Sequence, residues 1–141
     1  MRDADPVSTS DSAANDFAAL IPLAQTLGIT IDNADPQRVS GSMAWAPERC
    51  TTGGLLHGGA LMALADTAGA VCAFLNLPPA AGTSTIESKT NFFRGVRAGQ
   101  VSAVSVPLHV GRTTIVVQTD LTDDRGKRVA QVTQTQAVLQ T

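Results

Sequence analysis

Apolar side chains recur at Phe17, Leu20, Ile21, Ala24 and Leu27, three and four residues apart, which predicts a helix over Asn15–Leu27 closed by Gly28. Pro22 lacks the N–H that the helical ladder needs, so it is expected to split that helix. Two short β-compatible runs follow, Ile29–Ala34 and Arg38–Ala46, and the turn-forming Asp35-Pro36-Gln37 between them predicts a hairpin. Pro47–Gly54 reads as a loop ending in a glycine pair. From Gly59 to Leu75 the chain is rich in helix formers and apolar on every side, the pattern of a helix surrounded by protein, and Pro78 and Pro79 bar it from continuing.

Four runs rich in Val, Ile, Thr and Phe then predict strands: Thr83–Phe93, Val101–Val110, Thr113–Thr122 and Arg128–Leu139. Gly95, Gly99 and Gly111 separate them, and Asp123-Asp124-Arg125-Gly126 is the strongest hairpin signal in the chain. Strands on both sides of one apolar helix imply an α+β class, an antiparallel sheet of about six strands wrapped around one long central helix. Residues 1–14 are Asp, Ser and Ala rich without apolar periodicity and are expected to be a disordered N-terminal tail, leaving 15–141 as a single domain.

At 141 residues one domain can bury about two-thirds of the surface its unfolded chain would expose. The 10 basic and 12 acidic residues leave a formal charge of -2, with no basic block and no aromatic cluster for stacking bases, so nucleic acid is excluded as an expected partner. Two cysteines, Cys50 and Cys72, and no signal peptide pattern point to reduced thiols and a cytoplasmic location. The apolar stretch from Gly58 to Leu77 approaches the length of a membrane span, yet Asp66 sits in its middle, which favours a core helix and no membrane. No His/Cys/carboxylate spacing suggests a metal site, and neither a Gly-Lys-Ser phosphate loop nor a Gly-x-Ser-x-Gly elbow is present.

The candidate chemistry lies between Leu55 and Ala70. Gly54-Leu55-Leu56-His57-Gly58-Gly59 leads directly into the apolar helix, and a helix start offers backbone N–H groups without helical partners. Gly58 and Gly59 leave that backbone uncovered, so a carbonyl oxygen placed there would meet preorganised donors as it becomes an oxyanion during acyl transfer. Asp66 is the only charged residue between Arg49 and Glu87. A carboxylate inside so apolar an element is costly unless hydrogen-bonded or used, which suits a general base or a nucleophile; bonding to Thr67 or to a facing backbone group is the structural alternative. Eight residues of helix separate Gly58 from Asp66, about 12 Å at a rise of ~1.5 Å per residue. One reacting carbonyl cannot touch both, so a shared reaction centre would need Gly58 from a second copy of the chain, a two-fold dimer.

In this order these residues resemble the hot-dog thioesterase superfamily, in particular its phenylacetic-acid-degradation (PaaI-like) and Arthrobacter-type 4-hydroxybenzoyl-CoA thioesterase branch. The similarity runs from about Leu27 to Leu139. It rests on Gly54-Leu-Leu-His57-Gly58-Gly59-Ala60 with Leu64-Ala65-Asp66, on Asn91-Phe92-Phe93-Arg94, on Leu108-His109-Val-Gly111-Arg112-Thr113-Thr114, and on the Asp124-Arg125-Gly126-Lys127 hairpin.

The resemblance implies an acyl-CoA or aryl-CoA thioesterase with Asp66 as catalytic acid, the Gly58 N–H polarising the thioester carbonyl, and His57 shaping that end of the site. Gly59, Arg94, Arg112 and Thr113 would meet the coenzyme A part of the substrate, arginine being suited to phosphate. Six residues before His57, where relatives carry Asn or Gln, this chain has Thr51; one turn after Asp66, where relatives often have Ser or Thr, it has Ala70, and Thr67 or, favoured by similarity to Asp-bearing relatives, Thr85 is expected to stand in. No cofactor is implied, since coenzyme A belongs to the substrate. A homodimer is the expected minimum and a homotetramer, a dimer of dimers, the expected assembly. Two alternatives remain: a non-catalytic acyl-CoA-binding module, and a hydratase, against which the absence of a helical His after Asp66 counts.

Overall fold

A computed structural model of the chain describes residue 14 and residues 16–141. The expected tail lies outside these residues except for Ala14, which is helical and buried. Pro22 splits the first helix as expected. A helical turn over residues 16–19 ends at Leu20 and Ile21, and α1 (Pro22–Leu27) restarts with the proline at its opening position, where a missing N–H costs nothing. Gly28 closes α1 in the left-handed region (φ 65°), its N–H reaching the carbonyls of Ala24 and Gln25.

β1 (Ile29–Asp35) and β2 (Arg38–Ala44) form the expected hairpin, and the Asp35 carboxylate accepts the Gln37 N–H at 2.9 Å to hold the turn. The Pro47–Gly54 loop contains two single turns of 3-10 helix, Pro47–Arg49 and Thr52–Gly54. Next come α2 (Gly58–Leu75) and the strands β3 (Gly82–Phe92), β4 (Gln100–Val110), β5 (Thr114–Thr122) and β6 (Arg128–Leu139). The six strands make one antiparallel sheet in the order β1-β2-β4-β5-β6-β3.

The sheet curls around α2, which is the hot-dog fold. By length and composition α2 could cross a membrane, with a mean hydropathy of 1.6, but half of it is buried inside the protein. Leu64, Ala65, Ala68 and Cys72 have no solvent exposure and face Ile115, Val117, Leu121 and Val129, inward residues of β5 and β6 that are equally buried. The helix can afford so little bulk because small side chains let the sheet approach its backbone closely. Its end is fixed by Asn76, whose Nδ2 donates to the carbonyls of Cys72 and Pro36, both at 2.8 Å, tying the helix end to the β1–β2 turn.

One irregularity in β3 positions the chemistry. A β-bulge at Ile86 shifts the register, so Thr85 pairs with Gln136 and Glu87 with Thr135. In an unbroken strand, residues an odd number apart point to opposite faces. The extra residue reverses that parity, so both Thr85 and Phe92 face α2, where Thr85 bonds Asp66 and Phe92 packs on Gly58. β3 is also an edge of the sheet, eleven residues long and largely exposed.

Candidate active site

Asp66 projects from α2 toward β3 and β6, half-buried. Its Oδ1 accepts two hydrogen bonds, from the Thr85 hydroxyl at 2.9 Å and from Gln134 Nε2 at 3.1 Å. Thr85 in turn accepts from Gln136 Nε2 at 2.7 Å. Oδ2 has no partner among the described residues, nor does the carboxylate form an ion pair there. A carboxylate held by one oxygen through neutral donors leaves the other oxygen to act on a substrate or water. The expectation that Thr85 serves Asp66 therefore has a geometric basis, although its hydroxyl engages the carboxylate itself; Thr67 makes no such bond.

Gln134 and Gln136 were not legible as site residues. Both are fully buried, at inward positions of β6 between Val132 and Val138. Gln134 lies against the helix at Gly69, where an added Cβ would clash with its Oε1; that oxygen is buried without a hydrogen-bond partner among the described residues. Glycine in mid-helix costs about 1 kcal/mol relative to alanine, and here its absent side chain makes room for the amide that reaches Asp66.

The start of α2 forms a separate cleft of about 360 Å³, lined by Thr51, Leu55, Gly58, Leu61, Phe92 and Arg94 among others. His57 is the N-cap of the helix, in extended geometry (φ -63°, ψ 135°), and its Nδ1 accepts the Gly59 N–H at 2.7 Å. Its proton is thus assigned to Nε2. The His57 carbonyl takes the Ala60 and Leu61 N–H groups, while the Gly58 N–H donates to no acceptor among the described residues. It is the free donor that an oxyanion would need. His57 and Gly59 line a different cleft, of about 370 Å³, beside Leu27, Arg49 and Ala63, so within one chain they face away from Thr51 and Arg94.

The remaining sequence candidates occupy opposite ends of the sheet. Arg94 follows β3, its N–H on the Val129 carbonyl at 3.2 Å. Arg112 and Thr113 are exposed in the β4–β5 turn, and the Thr113 carbonyl accepts from Val138, whose strand neighbour is Thr83. Arg112 and Thr113 therefore sit at the Asp66–Thr85 end, and Arg94, Thr51 and Gly58 at the other. Beside Arg94 a basic cleft of about 430 Å³ adds Arg97, Arg125 and Lys127 around Asp123 and Asp124. Hydrogen bonds donated by the backbone N–H groups of Lys127 and Arg125, with the charges of Arg94 and Arg125, hold the Asp123 carboxyl below the ordinary carboxylate range. No group of three or more His, Cys, Asp or Glu side chains able to hold a metal occurs among the described residues.

The sequence profile of the thioesterase superfamily matches residues 53–130, which span α2, β3, β4, β5 and both halves of this site. A protein of Pseudomonas aeruginosa is 35% identical over 102 residues, covering 72% of this chain and 70% of that protein. A mutant of it, solved as a thioesterase, superposes with a TM-score of 0.85 at 30% identity over 94% of this chain and 96% of that one. The 1,4-dihydroxy-2-naphthoyl-CoA hydrolase of Escherichia coli is 35% identical over 86 residues, with 61% of this chain and 63% of that enzyme covered, so the alignment spans under two-thirds of that relative. A Haemophilus influenzae thioesterase structure gives a TM-score of 0.86 at 26% identity, over 94% of this chain and 92% of that one. The chain belongs to the thioesterase superfamily, and its class is that of thioester hydrolases.

Proposed function

We propose that this chain hydrolyses acyl-CoA or aryl-CoA thioesters to the free acid and coenzyme A, in composite sites formed between two copies. The observation that carries the reading is the pairing of an Asp66 with one oxygen free and a Gly58 N–H with no acceptor, at the two ends of one edge strand. Thr85, which holds Asp66, and Phe92, which packs on Gly58, are seven residues apart on β3. Antiparallel pairing of two β3 edges, centred near Ser88 and Lys89, would set Thr85 opposite the partner's Phe92. It would bring Thr51, Gly58 and Arg94 of one copy to Asp66, Thr85, Arg112 and Thr113 of the other, twice per dimer. A long exposed edge strand is a surface that proteins otherwise shield, and such pairing would satisfy its unpaired backbone groups. A tetramer would follow by pairing of these dimers.

In this site the Gly58 N–H and the start of α2 accept the charge that develops on the thioester oxygen. The free oxygen of Asp66 takes a proton from water as the water oxygen bonds to the carbonyl carbon. Collapse of the tetrahedral adduct breaks the C–S bond, and the proton passes from Asp66 to the departing thiolate, which leaves the carboxyl ready for another turn. Arg94, Arg97, Arg125 and Lys127 offer cations for the phosphates of coenzyme A, most of its charge.

Thiol release from a panel of aliphatic and aromatic acyl-CoAs, followed with a chromogenic disulfide, tests the reading. Wild type is expected to turn over at least one of them, and Asp66→Ala to lower kcat by at least about 100-fold with an unchanged melting temperature. Tight binding without turnover by wild type would instead make the chain an acyl-CoA-binding module.

A further inference from the structure

Gln136 is fully buried, so it meets no substrate directly. On one side its register partner is Ile115 of β5, apolar and equally buried; on the other it is Thr85 of β3. Its amide therefore finds partners only on the β3 side. Nε2 donates to the Thr85 hydroxyl at 2.7 Å, and Oε1 lies 3.1 Å from the Thr83 hydroxyl, which donates there or to the Ala137 carbonyl at 2.9 Å. An apolar side chain of the same length would fill this place without the cost of desolvating an amide. Neither partner depends on the amide for satisfaction, since Thr83 has the Ala137 carbonyl and Thr85 is open to solvent. The fold alone gives little reason for a glutamine here.

What the amide contributes is direction. A threonine hydroxyl carries one proton and two lone pairs. Gln136 Nε2 takes up a lone pair of Thr85, and the Thr85 proton goes to Asp66 Oδ1 at 2.9 Å. The reverse orientation of the amide would leave that single proton between two acceptors, Gln136 Oε1 and Asp66 Oδ1, so the observed one is favoured. Thr85 has need of such a hold. It stands exposed on an edge strand, next to the Ile86 bulge where pairing with β6 slips by one residue. The backbone ladder holds it from one side only, and water competes for its hydroxyl.

Resting on the thioesterase reading above, we propose that Gln136 is a positioning residue: it acts on Asp66 through Thr85, keeping the Thr85 hydroxyl a donor to Oδ1 and so aiming the free Oδ2 at the water it activates. Hydrogen bonds in series polarise one another, so the bond from Gln136 strengthens the one that Thr85 gives to the carboxylate.

The test measures kcat, KM and melting temperature in wild type, Gln136→Met, Thr85→Val and the double variant, with an acyl-CoA that wild type hydrolyses. Gln136→Met is expected to lower kcat about tenfold with KM changed less than about twofold. Its melting temperature should hold, because the thioether fills the same space and leaves no partner unsatisfied. Thr85→Val should lower kcat at least as far and also lower the melting temperature, because it strands the buried Nε2 of Gln136 without an acceptor. In the Thr85→Val background, Gln136→Met should cost no further activity and should restore the melting temperature. Full kcat in Gln136→Met overturns the proposal and leaves the thioesterase reading intact. So does an undiminished further fall in kcat when Gln136→Met is added to Thr85→Val, the behaviour of a residue that serves by packing alone. Gln136→Leu gives the same comparison if the methionine variant does not fold. Absence of turnover of any thioester by wild type overturns the thioesterase reading, and the positioning role with it.

Discussion

The Gly58 amide can be removed without disturbing the helix it begins. Gly58 is the first residue of α2, the position where proline is most readily accommodated, and His57 already has the extended backbone (ψ 135°) that a residue before proline prefers. Gly58→Pro therefore deletes one hydrogen-bond donor and no intrahelical bond, since that N–H has no acceptor among the described residues. Gly58→Ala is the matched control: it keeps the N–H, and its Cβ meets Phe92 Cζ at 3.2 Å, a contact that the half-exposed Phe92 ring can relieve.

Loss of one oxyanion donor lowers kcat by about 100- to 1,000-fold, or about 3–4 kcal/mol of transition-state stabilisation. Steady-state thiol release should show that fall between Gly58→Ala and Gly58→Pro, with KM changed little and melting temperatures alike. A kcat for Gly58→Pro within threefold of the alanine control would refute the assignment. A raised KM at full kcat would mean that the proline ring merely obstructs binding.

Three further outcomes follow from other parts of the molecule. Gln134→Leu removes a donor to Asp66 and a buried oxygen that has no partner, so kcat should fall about tenfold or more while thermal stability holds or rises; a loss of stability with full activity would make Gln134 a structural residue only. Gly69→Ala should lower kcat in an intact fold by displacing Gln134, read by turnover and circular dichroism. Burial pushes the Cys72 thiol up to about 11 from the ordinary 9.0. Below pH 9 the thiol is protonated in folded and unfolded chains alike; as pH rises toward 11 only the unfolded chain gives up the proton, so denaturant titrations should show wild type losing more stability over that range than Cys72→Ala.

Much of this architecture is written in local chemistry. Proline at 22, glycine at 28 and the Asp123–Gly126 turn set boundaries within a residue or two of the observed ones, because each acts through its own backbone. Asp66 and Gly58 stood out for the same reason: a lone charge in an apolar helix, and bare backbone at its start. What escaped was set by pairing. Ile86 looks like any strand residue, and only the register against β6 makes it a bulge that turns both Thr85 and Phe92 inward. Gln134 and Gln136 alternate with threonines, so the sequence does not say which set faces the core. Arg97, Arg125 and Lys127 are scattered along the chain and meet only where the β5–β6 turn folds beside the segment after β3.

Sharing of one reaction centre between two copies is tested by mixing Asp66→Ala with Gly58→Pro, each nearly inactive alone, under conditions that let subunits exchange. If Asp66 of one copy works with Gly58 of the other, each mixed dimer holds one site with both defects and one with neither, and equal mixing should restore about one quarter of wild-type activity. If both groups serve from the same chain, every site in the mixture carries a defect and no activity returns.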